Sequence, residues 1–400
     1  MKIAIIGAGI GGLTLALALR ARGIDATLYE QAAELSEIGA AVALSANATR
    51  ELQRLGLIDQ LERTGVEPTE LIYRDGLSGD RLAAHAVREG GAYRDRFGAP
   101  YLGIHRADLQ TTLGRAVGAE HIHLAHRLER IETVGERVAL HFADRDPVDA
   151  DIVVGADGVR SITRQWVGGQ PLRYSGTSAF RGIVPVERLG SLPDPQAIQF
   201  WIGQDAHLLH YAIGSDGGHV NFFAVVEGPT VWPDRGGTAP IEPGEAVAAF
   251  ADWHPAVRQM VAAGDVERRW GLFVAPPLRH WHRGPVVLIG DAVHAMLPHH
   301  GQGANTTIED AVTLATMLDG LTPSNCDARF AAYQKERALR TRLIQRSSWD
   351  ANRALHTDAG LPDATRHRAM HRFPERYGWI HKFDASARLS GVSDAGAMRC

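Results

Sequence analysis

Cysteine is nearly missing from this chain of 400 residues, with Cys326 and Cys400 the two present. Two thiols cannot build a disulfide framework, and neither lies in a Cys-x-x-Cys or zinc-ligand spacing, so a reducing cytoplasm is the expected setting. Surplus charge is missing too. Lys and Arg number 42 against 46 Asp and Glu, a net −4 that leaves no electrostatic case for a nucleic-acid partner. No uninterrupted apolar run reaches the roughly 20 residues a membrane helix needs, so no membrane partner is expected. The apolar N-terminal stretch is not read as a signal peptide, because Arg20 and Arg22 interrupt it before any Ala-x-Ala cleavage signal. No internal repeat is evident. What remains, 45% hydrophobic and 22% charged, suits a soluble enzyme of one large or two interlocked domains.

The chain opens Lys2-Ile3-Ala4-Ile5-Ile6-Gly7-Ala8-Gly9-Ile10-Gly11-Gly12, and Glu30 closes the next apolar run. A short β-branched strand, glycines at G-x-G-x-x-G spacing and an acid about 20 residues on describe a dinucleotide site. Gly7 permits the tight turn, Gly9 lets the backbone approach a pyrophosphate, and Gly12 lets the next helix pack closely on the strand. That helix, read over 13–22, aims its N-terminal amides at phosphates. Glu30 is placed to accept hydrogen bonds from a ribose diol.

Further along, helical spacing predicts helices over 46–55 and 107–117, and strands over 127–132 and 138–142. Residues 76–100 are rich in Gly, Arg and Asp and read as irregular. A buried strand runs from Asp151 into Gly155-Ala156-Asp157-Gly158. Short strands over 179–184, 198–202, 207–213 and 220–226, separated by Gly, Pro and Asp turns, suit an antiparallel sheet in a second domain. A Pro/Gly-rich loop over 229–245 follows. Nucleotide-domain character returns with Val286-Val287-Leu288-Ile289-Gly290-Asp291, then a helix over 306–321 and a polar, Arg-rich helical tail.

Three distant blocks form a set: the opening turn with Glu30; Gly155-Ala156-Asp157-Gly158-Val159-Arg160-Ser161; and Gly290-Asp291-Ala292-Val293-His294, continuing through Pro298 and Gly301-Gln302-Gly303-Ala304-Asn305 to Glu309-Asp310. Asp291, at a strand's carboxyl end, can accept hydrogen bonds from a sugar or ribityl hydroxyl. Gly301, Gly303 and the amides entering the next helix present positive dipole to whatever lies there. Thr306-Thr307-Ile308-Glu309 also reads as an ordinary capping box. Asp157-Gly158 also reads as a plain turn.

With His105-Arg106-Ala107-Asp108-Leu109, this set resembles the single-component FAD-dependent aromatic hydroxylases of the para-hydroxybenzoate hydroxylase type, in particular the salicylate, 3-hydroxybenzoate and 6-hydroxynicotinate hydroxylases. The resemblance covers nearly the whole chain. It implies an α/β fold: a Rossmann-type FAD-binding domain with an inserted antiparallel-sheet substrate domain and a C-terminal helical segment. The divisions expected are 1–75, 98–175 and 271–325 for the FAD-binding domain, 76–97 and 176–270 for the substrate domain, and 326–400 for the tail. The cofactor-binding residues implied are Gly7, Gly9, Gly12, Glu30, Arg106, Asp157, Asp291, Pro298, Gly301, Gly303, Ala304 and Asn305. It further implies that NADH or NADPH reduces FAD and that dioxygen forms a flavin C4a-hydroperoxide, whose distal oxygen passes to a small phenolic or hydroxypyridine-type ring.

The chain holds 19 histidines. Asp291, His294, His299 and His300 look like metal ligands, but the segment fits the flavin pattern and no other cluster completes a shell, so no metal is expected. His121, His123 and His126 read as exposed positions on an edge strand. On a strand, His207, Leu209 and Tyr211 share one face and His210 takes the other. His207 and Tyr211 match the His and Tyr that 6-hydroxynicotinate hydroxylase sets over its substrate. This resemblance makes them the expected catalytic pair; packing in the sheet is the alternative. The stretch Gly39-Ala40-Ala41-Val42-Ala43 departs from that enzyme, which carries a His where Ala43 stands. Arg181 is a candidate for a substrate carboxylate, with a cross-strand salt bridge as its alternative. Phe223 and Tyr101 are candidate pocket aromatics. Other readings are a flavin epoxidase, a hydroxylase of a larger polycyclic or natural-product substrate, and a non-catalytic FAD-binding protein. No Trp-x-Trp-x-Ile-Pro signature supports a halogenase. Nothing in the sequence chooses between monomer and homodimer.

Overall fold

The computed structural model describes residues 1–35, 41–135, 137–233, 237–356, 368 and 370–389. Gly39, Ala40 and Cys400 lie outside the described residues. Ile3–Ile6 forms a wholly buried strand, as its β-branched run predicts. The chain turns through Gly7, at φ +102°, into the helix Ile10–Arg20 and returns as the strand Ala26–Tyr29, parallel to the first. A Cβ on Gly12 would sit 2.0 Å from the carbonyl oxygen of Gly7, so the helix can lie this close to the turn only with glycine there. The helix starts three residues before the expected 13, because Gly9 itself is the N-cap.

Among the described residues, strands in the order His282–Arg283, Val286–Leu288, Ile152–Gly155, Ile3–Ile6, Ala26–Tyr29 and Ile122–His123 build one sheet, parallel except at its first pair. A second sheet runs Thr238–Pro240, Arg268–Val274, Arg173–Pro185, His219–Glu227, Ala206–Ile213, Ile198–Gly203, Glu70–Asp75, Arg81–Ala86. Its neighbours are antiparallel except Ile198–Gly203 with Glu70–Asp75. The four short strands read from the sequence all lie here: three match within one residue at each end, while the one expected over 179–184 is longer, Arg173–Pro185, because it pairs with Arg268–Val274 as well as His219–Glu227.

Two expectations need correction. Residues 76–100 are not irregular: they hold the strand Arg81–Ala86 and the helix Ala92–Phe97. These elements take their order from partners, the strand from pairing with Glu70–Asp75 and the helix from burying Tyr93 and Phe97. By that pairing the second sheet begins at Glu70, ahead of the boundary expected after residue 75. The loop over 229–245 likewise contributes the short strand Thr238–Pro240.

The helix expected over 306–321 runs Gln302–Met317 instead. Gly301, at φ +63°, is its N-cap, so Thr306 lies inside the helix with its hydroxyl on the Gln302 carbonyl, and the capping-box reading is excluded. This helix buries two adjacent acids. Glu309 meets Arg337 and Arg340 of the long helix Cys326–Leu355, each at 2.7 Å, and accepts from Asn47 at 2.6 Å. Asp310 meets Arg337 at 2.7 Å and His294 at 2.5 Å and accepts the Gly290 amide at 3.0 Å. Burial opposes ionisation of both carboxyls, but the cations around them hold both below their usual range. No helix among the described residues is long and apolar enough to cross a membrane.

Two outcomes follow for stability. Asp310→Asn leaves a buried guanidinium with lost charge balance, and chemical denaturation of the variant is expected to show a loss of about 3–5 kcal/mol. Because Glu309 and Asp310 have depressed folded-state values, their contribution is present above the ordinary carboxylate range and lost as pH falls below that range through the lowered folded-state values. Melting temperatures measured from about pH 6 to pH 3 should therefore fall for the parent chain and fall less for Asp310→Asn.

Candidate active site

A cavity of about 350 Å³ opens where the first, second and third sequence blocks meet. Gly7, Gly9, Gly11, Glu30, Arg106, Asp157, Asp291, Gly303 and Ala304 line it. Two helix N-termini face it, those of Ile10–Arg20 and Gln302–Met317, whose free amides favour an anion or an electron-rich edge. A Cβ on Gly9 or on Gly303 would meet nothing within 4 Å, whereas one on Gly11 would strike Thr307 at 2.4 Å. Gly9 and Gly303 thus keep cavity space clear rather than packing space. This cradle fits a diphosphate-bearing dinucleotide with a flat ring at its far end.

Among the expected cofactor residues, several already have partners within the chain. Glu30 accepts the Ala8 amide at 2.7 Å and the Ala32 amide at 2.9 Å. Asp157 accepts from the Ser161 hydroxyl at 2.6 Å, the Thr163 amide at 3.0 Å and the Thr163 hydroxyl, which pins the second block's turn onto the helix Ile162–Val167. Asn305 accepts the Ser45 amide at 2.8 Å and donates to the carbonyls of Ala43, at 2.8 Å, and Gly301. Its side chain ties the strand Ala41–Leu44 to the glycine loop. Pro298 opens a 3-10 turn to His300, and a Cβ on Gly301 would stand 3.7 Å from that of Ala43. His126, read as exposed, instead lines the cavity beside Tyr29, whose ring stacks on His123 and Phe142.

The second sheet turns one face toward this loop. Registers place His207 opposite Val225 and Ala179, Leu209 opposite Phe223 and Arg181, and Tyr211 opposite Asn221 and Ile183. Phe200 and Ile198 extend the same rows through Leu209 and Tyr211. His207, Leu209 and Tyr211 therefore share one face, as their spacing predicts. Leu297 packs against Ala179 and Val225 on it, with Phe223 beside them, and Ala43 packs with Ile198 and Tyr211. The Arg181 guanidinium lies over Trp270, 3.3 Å from the ring centroid.

A further cavity of about 440 Å³ continues along this face, between Ile198 and Phe200 of the sheet, Tyr93 and Tyr101, and the helix Phe373–Lys382. His299 stands in its wall and is 2% exposed, with no hydrogen-bond partner at either ring nitrogen. Its ring lies 5.0 Å from that of His207. Burial pushes His207 and His299 well below the usual histidine range, and neighbouring imidazoles add to it, His299 and His356 at His207 and His356 and His300 at His299. Burial raises the Tyr211 and Tyr101 phenols. At neutral pH the wall thus presents the neutral imidazole of His299 and the protonated phenol of Tyr101, and the sheet face beside it presents neutral His207 and protonated Tyr211.

His294, His299 and His300 do not converge on one point. His294 serves Asp310, His300 meets the Ser347 carbonyl at 2.9 Å, and His299 faces His207. Sequence reasoning set His299 aside with the other two; its place directly after Pro298 in the third block was the available signal.

A family profile described as an FAD binding domain matches residues 1–348. The chain is 35% identical over 400 residues to 3-amino-4-hydroxybenzoate 2-monooxygenase of Streptomyces cremeus, spanning 100% of this chain and 98% of that protein. It is 36% identical over 352 residues to 6-hydroxynicotinate 3-monooxygenase of Bordetella bronchiseptica, spanning 87% and 91%. Among solved structures, a salicylate hydroxylase substrate complex aligns with a TM-score of 0.82 at 27% identity, covering 97% of this chain and 96% of that one.

The two glycines of the opening turn are expected to fail differently. Gly9→Val fills the cradle without touching the fold, so the purified protein should keep its melting temperature yet lose flavin absorbance. Gly12→Ala drives a methyl into a backbone carbonyl and should cost stability, about 1–3 kcal/mol or more, before binding is reached.

Proposed function

Because the chain belongs to the FAD-binding-domain family of flavin-dependent aromatic monooxygenases, we propose that it hydroxylates a monocyclic phenolic acid of the hydroxybenzoate type. One observation carries this reading: His299 is buried, lacks a hydrogen-bond partner at both nitrogens and stands in the wall of an aromatic-lined cavity beside His207. A buried polar ring of this kind calls for a polar ligand group. A cavity of this size, apolar with a few convergent polar groups, suits a single substituted ring.

The proposed cofactor contacts are Gly7, Gly9, Gly12, Glu30, Arg106, Asp157, Asp291, Pro298, Gly301, Gly303, Ala304 and Asn305, some direct and some by holding the turns that make the cradle. When bound, FAD reduced by NADH or NADPH supplies from dioxygen the electrophilic oxygen atom that the ring receives. The chain's own residues do the rest. The amides opening Gln302–Met317 stabilise negative charge at the edge of the flat ring. Neutral His207 accepts the proton of a ring hydroxyl, and the Tyr211 phenol donates a hydrogen bond to the oxygen left behind. An oxyanion makes the ring carbons beside it more nucleophilic. Phe223, Tyr101 and Ile198 keep the ring dry and fixed in plane. Arg181, on the same face, is the cation proposed for the carboxylate.

Ala43 packs against Tyr211 and Ile198 where 6-hydroxynicotinate hydroxylase carries a His. This substitution favours a benzoate ring over 6-hydroxynicotinate, in keeping with the 3-amino-4-hydroxybenzoate 2-monooxygenase that aligns with the whole chain. A cytoplasmic setting suits an enzyme drawing on NAD(P)H.

A panel of hydroxybenzoates, aminohydroxybenzoates and hydroxypyridines tests this. The yellow protein should oxidise NADH or NADPH faster with at least one member, with hydroxylated product formed; a yellow protein that no aromatic accelerates contradicts it. His207→Ala should lower kcat by roughly 10²-fold and Tyr211→Phe by less, flavin being retained in both. Arg181→Gln should raise KM about tenfold with little change in kcat, the effect of losing one charge-assisted hydrogen bond.

A further inference from the structure

We propose that His356 and Glu227 form a proton outlet joining His207 to solvent. This rests on the reading of His207 as the group that meets the substrate's ring hydroxyl. Nδ1 of His207 lies 2.8 Å from Nε2 of His356, and Nδ1 of His356 lies 3.2 Å from Oε1 of Glu227. His207 is 1% exposed, the His356 side chain 5% and that of Glu227 55%. The path therefore runs from the buried substrate face to water through two further side chains. Each comes from a different element. His356 follows the long helix Cys326–Leu355 and bridges Gly203, while Glu227 ends the strand His219–Glu227.

Chemistry fixes the direction of the hydrogen bonds. An ionised carboxylate only accepts, so Nδ1 of His356 carries its hydrogen toward Glu227. Nε2 of His356 then accepts, and Nδ1 of His207 donates to it. Nε2 of His207 is left with a lone pair for the substrate. Glu227 thus sets the tautomer of a ring it does not touch.

When a ring hydroxyl gives its proton to Nε2 of His207, the proton on Nδ1 passes to Nε2 of His356. The proton on Nδ1 of His356 passes to Glu227, which releases it to water. Every O–H or N–H bond broken is matched by one formed, and no electron changes hands. When the product oxygen regains a proton, the same shifts run backward and restore the starting tautomers. The groups facing this chain are His299 across His207, Asp205 and Glu227 beside His356, and Arg269 and Tyr174 near Glu227. Burial keeps His207 and His356 below the usual histidine range, so both rings are neutral near pH 7, as a tautomer relay requires.

Glu227→Gln and His356→Gln, each as FAD-loaded full-length protein, test the relay, with 3-amino-4-hydroxybenzoate as probe beside the fastest wild-type substrate of the panel. Ionisation of the bound phenol is followed by its absorbance after a pH jump without NAD(P)H, and the pH profile of kcat is measured separately. Both variants should slow ionisation at least tenfold and move the rising limb of kcat to higher pH, with flavin content unchanged and KM within about twofold. Unchanged ionisation and unchanged pH profiles in both variants, in a wild type that hydroxylates, overturn the relay and leave the function standing. A His356→Gln protein that loses flavin or melts early while Glu227→Gln behaves as wild type also overturns it, since His356 then serves structure alone. A wild type that no aromatic accelerates overturns the functional reading and the relay with it.

Discussion

Glu309 and Asp310 stand side by side in the interior, both ionised, and their partners fix the Gly290–Asp291 turn and the glycine-loop side of the cofactor cradle. Through Asp310 the central helix holds the Gly290 amide and His294, and so the turn that carries Asp291. Through Glu309 it holds Asn47 of the helix Ala46–Arg54 and Arg340 of the long helix. Gln302, at the same helix's N-terminus, donates to the Ser45 hydroxyl at 2.9 Å and accepts from Asn47 at 3.1 Å. These bonds aim the N-terminal amides of Gln302–Met317 at one place. Buried charges of this kind add little net stability over a hydrophobic core, and their worth lies in geometry, since each bond has one direction and one length.

The substrate side is built on the opposite principle. There the sheet face and the helix Phe373–Lys382 remove water from histidines and tyrosines without giving them counter-ions. Desolvation then holds imidazoles neutral and phenols protonated. On the proposed reading, neutral His207 takes the proton of a bound phenol and protonated Tyr211 donates a hydrogen bond to the oxygen left behind. One helix thus keeps charge for positioning, and one sheet face excludes charge so that a proton can move.

The first βαβ unit was legible because each residue there answers a local need: Gly7 its positive φ, Gly12 its contact with a carbonyl. The shared face of His207 and Tyr211 was legible from strand periodicity. The start of the central helix was misread since Thr306 to Glu309 has the form of a capping box, while the true cap is a glycine in a left-handed conformation. Residues 81–86 and 92–97 were missed because pairing and burial order them, not their own pattern. His356 and Glu227 lie 149 and 20 residues from His207 in sequence, and no local spacing links them. What the Asn305 side chain does was not legible: it joins Ala43 and Ser45 to the glycine loop, contacts far apart in sequence.

The most direct measurement is a crystal structure of the FAD-loaded protein with a hydroxybenzoate bound. The account predicts the ring over Ile198 and Tyr101, its hydroxyl within hydrogen-bond distance of His207, and the flavin edge at the amides that follow Gly301. A ring seated away from the His207 and Tyr211 face, or a flavin edge turned from those amides, would contradict it.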